Sequence, residues 1–353
     1  MNKKVLSLIL AACLSMSVLA GCGAKEEPAP AEPETKEEQS AEEEKKEEAE
    51  EKPAETASGV TIEYPANMQE RGFTEALVLE TMPEKVAVMS KAPVLALYEL
   101  GVKMIAVPTS GVVAWPEELD ASTEKLETGM NSNFDIETVI ALEPDLVVMG
   151  YNSKDTYGKQ LDDAEIPVYY VDAGHTVPYE SVKAQTQVLV DAFGKEGEAG
   201  KAIMERFADL EARLDGMKDK YADKKVMVLQ SAPPAHYIQT AEGTLASMAA
   251  MMGFGNVYEN AEASMAPLDM ETALSYNPDL VLCVGGTPDA AAHQKAMEAD
   301  FAANPDYWNS IEAIKNGDVL YFSGSYIAST GIGFLDTMDE FIETVEAHYG
   351  AEA

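Results

Sequence analysis

Two stretches of this chain repeat each other, and that repeat limits the fold more than any other feature. Residues 135–149 read DIETVIALEPDLVVM and residues 269–283 read DMETALSYNPDLVLC; the offset is 134 residues, with 7 of 15 positions identical. Solenoid repeats recur every ~20–50 residues, so this spacing predicts two similar lobes. Each copy carries the same local logic. Asp135 or Asp269 suits an N-cap, its carboxylate accepting from the first free amides of a helix. A short helix follows, and Pro144-Asp145 or Pro278-Asp279 ends it. Then comes an unbroken apolar run, LVVMG or LVLCVG. Such a run fits a strand buried on both faces, as in a parallel sheet covered by helices.

Similar runs lie at 86–89, 104–107 and 168–171 in the first half, and at 226–229, 280–284 and 319–322 in the second. Helical stretches at 93–100, 244–252 and 289–303 separate several of them. The alternation predicts α/β lobes with mainly parallel sheets. Between the repeats, Ile203, Phe207, Leu210, Leu214, Met217 and Tyr221 are spaced 4, 3, 4, 3, 4. That is one apolar stripe on a helix over about residues 196–222, roughly 38 Å long, read as a strut joining the lobes.

Charge divides the rest. The chain holds 25 Lys plus Arg against 62 Asp plus Glu, a formal net charge of −37. That excludes nucleic acid as a partner, because phosphates need cationic groups facing them. Residues 1–22 carry +2, residues 23–59 carry −9 and residues 60–353 carry −30. Lys3 and Lys4 precede an apolar run at 5–19, too short to span a bilayer and typical of a secretory signal. The run ends in Leu19-Ala20-Gly21-Cys22. This is similar to a bacterial lipobox, which implies lipidation of Cys22 and an extracytoplasmic protein anchored to the cell membrane. Residues 23–58 hold no Val, Ile, Leu, Met or aromatic residue and read as a disordered acidic tether. Cys283, inside its apolar run, reads as a buried strand residue, so no disulfide is expected.

Signal, tether, lobe, long helix, lobe: this order resembles the class III substrate-binding proteins of bacterial ABC importers, which carry ferric siderophores, haem or cobalamin. The resemblance covers about residues 82–349. It rests on Pro83-Glu84-Lys85-Val86, Ala96-Leu97-Tyr98-Glu99-Leu100-Gly101, the paired D-x-E-T…P-D-L-V segments, Asn304-Pro305-Asp306-Tyr307-Trp308 and Ile314-Lys315-Asn316-Gly317-Asp318-Val319. It implies two Rossmann-like α/β lobes joined by one long rigid helix, with no enzymatic activity and no intrinsic cofactor. The expected domains are a signal over 1–22, a tether over 23–59, lobes over 60–178 and 223–353, and a helical connection over 179–222. The resemblance also implies a monomer that delivers its chelate to a permease dimer with its ATPase. In that family one Glu on each lobe docks onto permease arginines; the matching positions are Glu137 and Glu271, each in the first turn of an equivalent helix.

The ligand is expected between the lobes, at the carboxyl ends of the strands. Loops there supply Ser90, Lys91, Trp115, Met130, Tyr151, Asn152 and His175 from the first lobe. The second supplies His236, Tyr237, Met265, Thr287, Ser325 and Tyr326. Trp115 suits either stacking on a flat ligand or core packing. His175 or His236 would ligate iron if the ligand were haem, as would Tyr237 or Tyr326. His293 and His348 read as surface helix residues, and Trp308 as core. The body has three arginines, Arg71, Arg206 and Arg213, and residues 223–353 have none. Arg is the preferred partner of polyanions, so the second lobe suits a neutral or cationic iron chelate or a corrinoid. The alternatives are a haem receptor of the same family and a surface sensor or adhesin that uses the fold without transport. Scattered His residues argue against a bare zinc or manganese receptor. The glycine pairs Gly253-Phe254-Gly255 and Gly331-Ile332-Gly333 lack the third glycine and preceding strand of a dinucleotide fingerprint.

Overall fold

The structure is a computed structural model and describes residues 59–127, 134–173, 177–194, 197–259, 263–328 and 331–351. Thirteen strands are described: β1 Val60–Ile62, β2 Leu77–Leu79, β3 Val86–Val88, β4 Met104–Pro108, β5 Glu124–Leu126, β6 Leu146–Gly150, β7 Val168–Val171, β8 Lys225–Ala232, β9 Ala235–Gln239, β10 Gly255–Asn256, β11 Met265–Pro267, β12 Leu280–Val284 and β13 Val319–Phe322. Sheet order in the first lobe is β5-β4-β3-β6-β7, every pairing parallel. The second lobe orders β11-β9-β8-β12-β13, with β10 beside the start of β8. There β8, β12 and β13 run parallel, while β9 and β11 are antiparallel additions. Both lobes are α/β with largely parallel sheets. The β8–β9 hairpin is new relative to the sequence reading, because the strand runs on past its apolar stretch, through Gln230 and Ser231 to Ala232, before turning.

The repeat occupies the inner strands, and its conserved chemistry between copies has a visible purpose. Every residue of β6 and β12 is buried. The Asp before each strand fastens it to its neighbour. Asp145 accepts from the amides of Glu84 and Lys85 at 2.8 and 2.9 Å. Asp279 accepts from the amide of Lys225 at 2.7 Å and from Lys224 Nζ at 3.3 Å. These charge-assisted bonds satisfy free donors where β3 and β8 begin. Asp135 and Asp269 cap the preceding helices as their sequence positions suggest, each accepting from the amides two and three residues on.

The connecting helix is shorter than its stripe. It spans Glu198–Asp215, 18 residues, ~27 Å instead of ~38 Å. Ile203, Phe207, Leu210 and Leu214 are buried on it, and Gly216 closes it. Met217 and Tyr221 keep the apolar pattern and are buried from the turns beyond. Arg206 bonds Glu99 of the first lobe at 3.2 Å and Asp336 of the final helix at 2.7 Å. Arg213 reaches Asp339 of that helix at 3.0 Å. The final helix, Gly333–Ala351, thus lies along the connector.

Residues 60–81 form a ribbon separate from the first sheet. β1 and β2 pair only with each other, as an antiparallel ribbon. The reason is side-chain packing: Tyr64 stacks on Tyr169 of β7, centroids 4.8 Å apart. Tyr169 donates to the Glu63 carbonyl at 2.9 Å, and the Tyr170 amide donates to Tyr64 Oη at 3.2 Å. His293 is not a surface residue. It is 6 % exposed, under the Gly285 turn, because its helix packs on β12 and β13. His348 is half-buried, 3.7 Å from Asp318. Trp308 and Cys283 are buried, as expected, and the low-polarity surroundings push the Cys283 thiol ionisation up. Among the described residues no helix is long and apolar enough to cross a membrane.

One close approach holds the second lobe's last loop to the first lobe. Gly331 has φ +69°, and a Cβ there would collide with the Ala92 carbonyl. Glycine alone meets both conditions without strain. Gly331→Ala is therefore expected to destabilise the fold by at least about 1–2 kcal/mol. A thermal melt unchanged from wild type would contradict this account of the contact.

Candidate functional site

Both sheets reverse their strand order, and the reversal locates the site. In the first lobe the chain moves from β3 outward to β5, then crosses to β6 and β7. In the second it moves from β8 to β9 and β11, then crosses to β12 and β13. The loops after β3 and β6 diverge, as do those after β8 and β12, and the crevices between them are where such sheets bind ligands. Ser90, Lys91 and Tyr151 follow β3 and β6. Gly285 to Thr287 follow β12.

Two hollows lie between first-lobe or connector residues and second-lobe residues. The smaller, about 270 Å³, is lined by Lys91, Leu95 and Val112 to Trp115 on one side, and by Ser325, Ala328, Gly333, Asp336 and Thr337 on the other. It brings together three residues expected in the cleft: Lys91, Trp115 and Ser325. Trp115 is half-buried, and its indole N–H donates to the Pro108 carbonyl at 2.8 Å, which fixes the ring at the end of β4. Burial lowers the Lys91 pKa, so its ammonium gains from an anionic or carbonyl neighbour. The larger hollow, about 580 Å³, is lined by Val177 to Glu180, by Glu211, Leu214, Asp215 and Lys218 near the connector's end, and by Ala241, Glu242, Thr244, Ser247 and Met251. Sequence reasoning missed it, because its walls are helix ends, not strand ends. Tyr179 donates to Glu211 at 3.1 Å there, and Lys183 shares the same oxygen. The Lys183 hydrogen bond holds the Glu211 carboxyl below its usual range.

Arg71 is the second omission. It precedes the first lobe in sequence, yet it folds back to the carboxyl ends of β6 and β7. Its Nη1 donates to Tyr151 Oη at 2.9 Å, and its guanidinium lies 4.4 Å from the Tyr151 ring centroid. Asp172, the residue after β7, lies 4.0 Å from Nη2 and accepts from Asn67 Nδ2 at 2.9 Å. Its scarcity was the only sequence signal: three arginines in an acidic body.

The other expected residues divide. Ser90 is buried and Asn152 is exposed. Tyr237 and Met265 are exposed and share one face of the β9–β11 pair, since Tyr237 pairs with Pro267 and Met265 with Gln239. Thr287 is exposed, its carbonyl accepting from Gly324 N at 2.6 Å. Tyr326 is instead 2 % exposed, packed on Phe322 in the core of the second lobe, and burial followed by the nearby Glu340 raises its ionisation far beyond reach. His236 points into its own lobe. Nδ1 lies 3.0 Å from Ser231 Oγ and Nε2 3.3 Å from Asp300, with the ring edge-on to Trp308. A neutral ring satisfies both nitrogens there, accepting from Ser231 and donating to Asp300. Met130, His175 and Cys22 lie outside the described residues. Among the described residues no group of three or more His, Cys, Asp or Glu is placed to hold a metal. Glu137 and Glu271 are exposed, and among the described residues neither carboxylate is in an ion pair.

Comparison with known proteins places this geometry. A family profile described as periplasmic binding protein matches residues 86–326. An uncharacterised ABC transporter substrate-binding lipoprotein, YvrC of Bacillus subtilis, is 23% identical over 276 residues, 76% of this chain and 82% of that protein. The molybdate-binding protein MolA of Haemophilus influenzae is 20% identical, over 70% of this chain and 77% of its own. The crystal structure of the catecholate-siderophore binding protein VctP from Vibrio cholerae is similar in fold, with a TM-score of 0.62 and 20% identity, over 82% of this chain and all of that one.

The buried imidazoles give the fold a pH dependence. Burial lowers the pKa of His236, with Asp300 partly opposing, and burial lowers that of His293. Burial disfavours the charged form of both in the folded chain, while the unfolded chain takes up protons near the usual His value of about 6.5. Their contribution is therefore complete above about pH 6.5 and declines as pH falls through that value. Melting temperature is expected to drop between pH 7.5 and 5.5. His293→Leu is expected to reduce that drop, and an identical slope in the variant would refute the assignment.

Proposed function

Because the chain belongs to the periplasmic binding protein family, whose members are non-enzymatic substrate-binding components of transporters, we propose that it captures a metal chelate or corrinoid between its lobes and hands it to an ABC importer permease. The observation that carries this reading is the twin construction of the two lobes. Each has an inner buried strand from the same repeat, loops at a reversal of strand order, and an exposed Glu beside an Asp-capped helix start. Between them Trp115 and Lys91 face Ser325 across a hollow. An indole fixed by its own hydrogen bond supplies a flat apolar surface at little entropic cost, which suits ring-rich or cage-like chelates.

Charge narrows the ligand. Residues 223–353 hold no Arg, four Lys and 19 acids. A ligand therefore turns a neutral or cationic surface to the second lobe, as a ferric hydroxamate or a corrinoid would. His236 already serves Asp300 and Ser231, which weakens the case for it as a haem ligand. The lipobox reading of Cys22, with the tether behind it, makes this a lipid-anchored extracytoplasmic receptor.

Titration of the purified protein with ferrichrome, ferrioxamine B, cyanocobalamin and haemin, followed by Trp fluorescence and absorbance, tests the capture step. At least one is expected to bind stoichiometrically and without turnover. No binding by any of them would defeat the chelate reading. A Soret shift with haemin would favour haem and a metal-ligating side chain.

Docking is tested separately. The carboxylates of Glu137 and Glu271 stand one per lobe, ready for cationic partners on a two-fold permease. Glu137→Lys with Glu271→Lys is expected to abolish cellular uptake while ligand affinity stays within about twofold, since exposed charges far from a ligand contribute little to its binding. Uptake at the wild-type rate would remove both residues from the docking face.

A further inference from the structure

We propose that Arg71 is a ligand-recognition residue of the interlobe site, and that the substrate carries an oxyanion turned toward the first lobe. The inference rests on the proposed capture between the lobes and adds a chemical requirement to it. Four observations meet at this residue. Arg71 stands at the carboxyl ends of β6 and β7, the strands beyond the reversal of order in the first sheet. Its side chain is pre-ordered, with one nitrogen on Tyr151 Oη at 2.9 Å and the guanidinium plane 4.4 Å from that ring. Among the described residues its ion-pair partner is Asp172, 4.0 Å from Nη2, beyond hydrogen-bond reach and also accepting from Asn67. The remaining donors of the fork have no protein acceptor among the described residues, and the side chain is 43% exposed.

A guanidinium presents its donors in a fixed plane that matches a carboxylate, phosphate or oxometalate two bonds at a time. Ordering by Tyr151 removes part of the entropy cost of that contact. Arg71 also lies outside the stretch matched by the family, in the ribbon segment that wraps β7. The second lobe, by contrast, holds no Arg. The two lobes together fit a ligand with an oxyanion on one side and a neutral or cationic remainder, or a small free oxyanion seated at Arg71 alone.

Calorimetric titration distinguishes these. The oxyanion-bearing probes are haemin, with two carboxylates, a trianionic ferric tris-catecholate, and molybdate as the free oxyanion. Ferrichrome, neutral, and ferrioxamine B, cationic, lack one. Wild type is expected to bind at least one oxyanion-bearing probe, and Arg71→Ala to weaken that binding roughly ten- to a hundredfold. Arg71→Lys keeps the charge without the fork and should fall between. Asn67→Ala loosens the same segment through Asp172 and is the control for a purely structural latch; its affinity should match wild type. Binding of molybdate alone supports the role of Arg71 and replaces the chelate reading. Binding of ferrichrome or ferrioxamine B alone overturns the oxyanion requirement and leaves that reading standing. Equal affinity in Arg71→Ala, or an equal loss in Asn67→Ala, overturns the role of Arg71. A wild type that binds none of these probes overturns the oxyanion requirement, and one that binds neither these nor cyanocobalamin overturns both.

Discussion

Two strands, Leu146–Gly150 and Leu280–Val284, are buried at every residue, and the rest of the structure follows from covering them. A strand with no solvent face needs parallel neighbours on both edges and helices on both sides. Parallel neighbours require crossovers, and crossovers place all the forward loops of a lobe at one end. The forward loops thereby gather at the carboxyl ends, where the sheets reverse strand order. The amino ends are left for structure. There Asp145 and Asp279 tie the strands to the chain segments beside them, the same device used twice. Loss of either carboxylate would strand backbone donors at the edge of a core, which is why the Pro-Asp pair appears in both copies.

Joining the lobes is the work of three segments. The connector Glu198–Asp215 carries a buried stripe, the final helix lies along it through Arg206 and Arg213, and Gly331 brings the last loop against Ala92. Arg206 touches a first-lobe helix and the final helix at once, so the lobes share one ionic node as well as one apolar seam. A helix, a partner helix and a backbone contact thus join the same two lobes.

The lobes were legible in the sequence because they rest on local signals. Periodicity, N-caps and Pro-Asp stops need only neighbouring residues, and a 15-residue repeat reports them twice. The connector was legible too, though its length was not. The stripe continued through Met217 and Tyr221, and those side chains are buried from turns as well as they would have been from a helix. Burial pattern and helical periodicity diverge there because the helix ends at Gly216 while the core still demands apolar groups.

The sequence by itself determined two α/β lobes, the connector between them, the buried fate of Cys283 and Trp308, and equivalent acid-bearing helix starts at Glu137 and Glu271. These depend on hydrophobic spacing and on backbone donors within a few residues. Only the tertiary structure decided which polar residues meet. It turned His236 inward to Asp300, sealed Tyr326 beside Phe322, buried His293 under Gly285, and carried Arg71 across 80 residues of chain to Tyr151. Such pairings depend on how far apart in sequence two surfaces can lie and still pack, and hydrophobic periodicity holds no record of that distance.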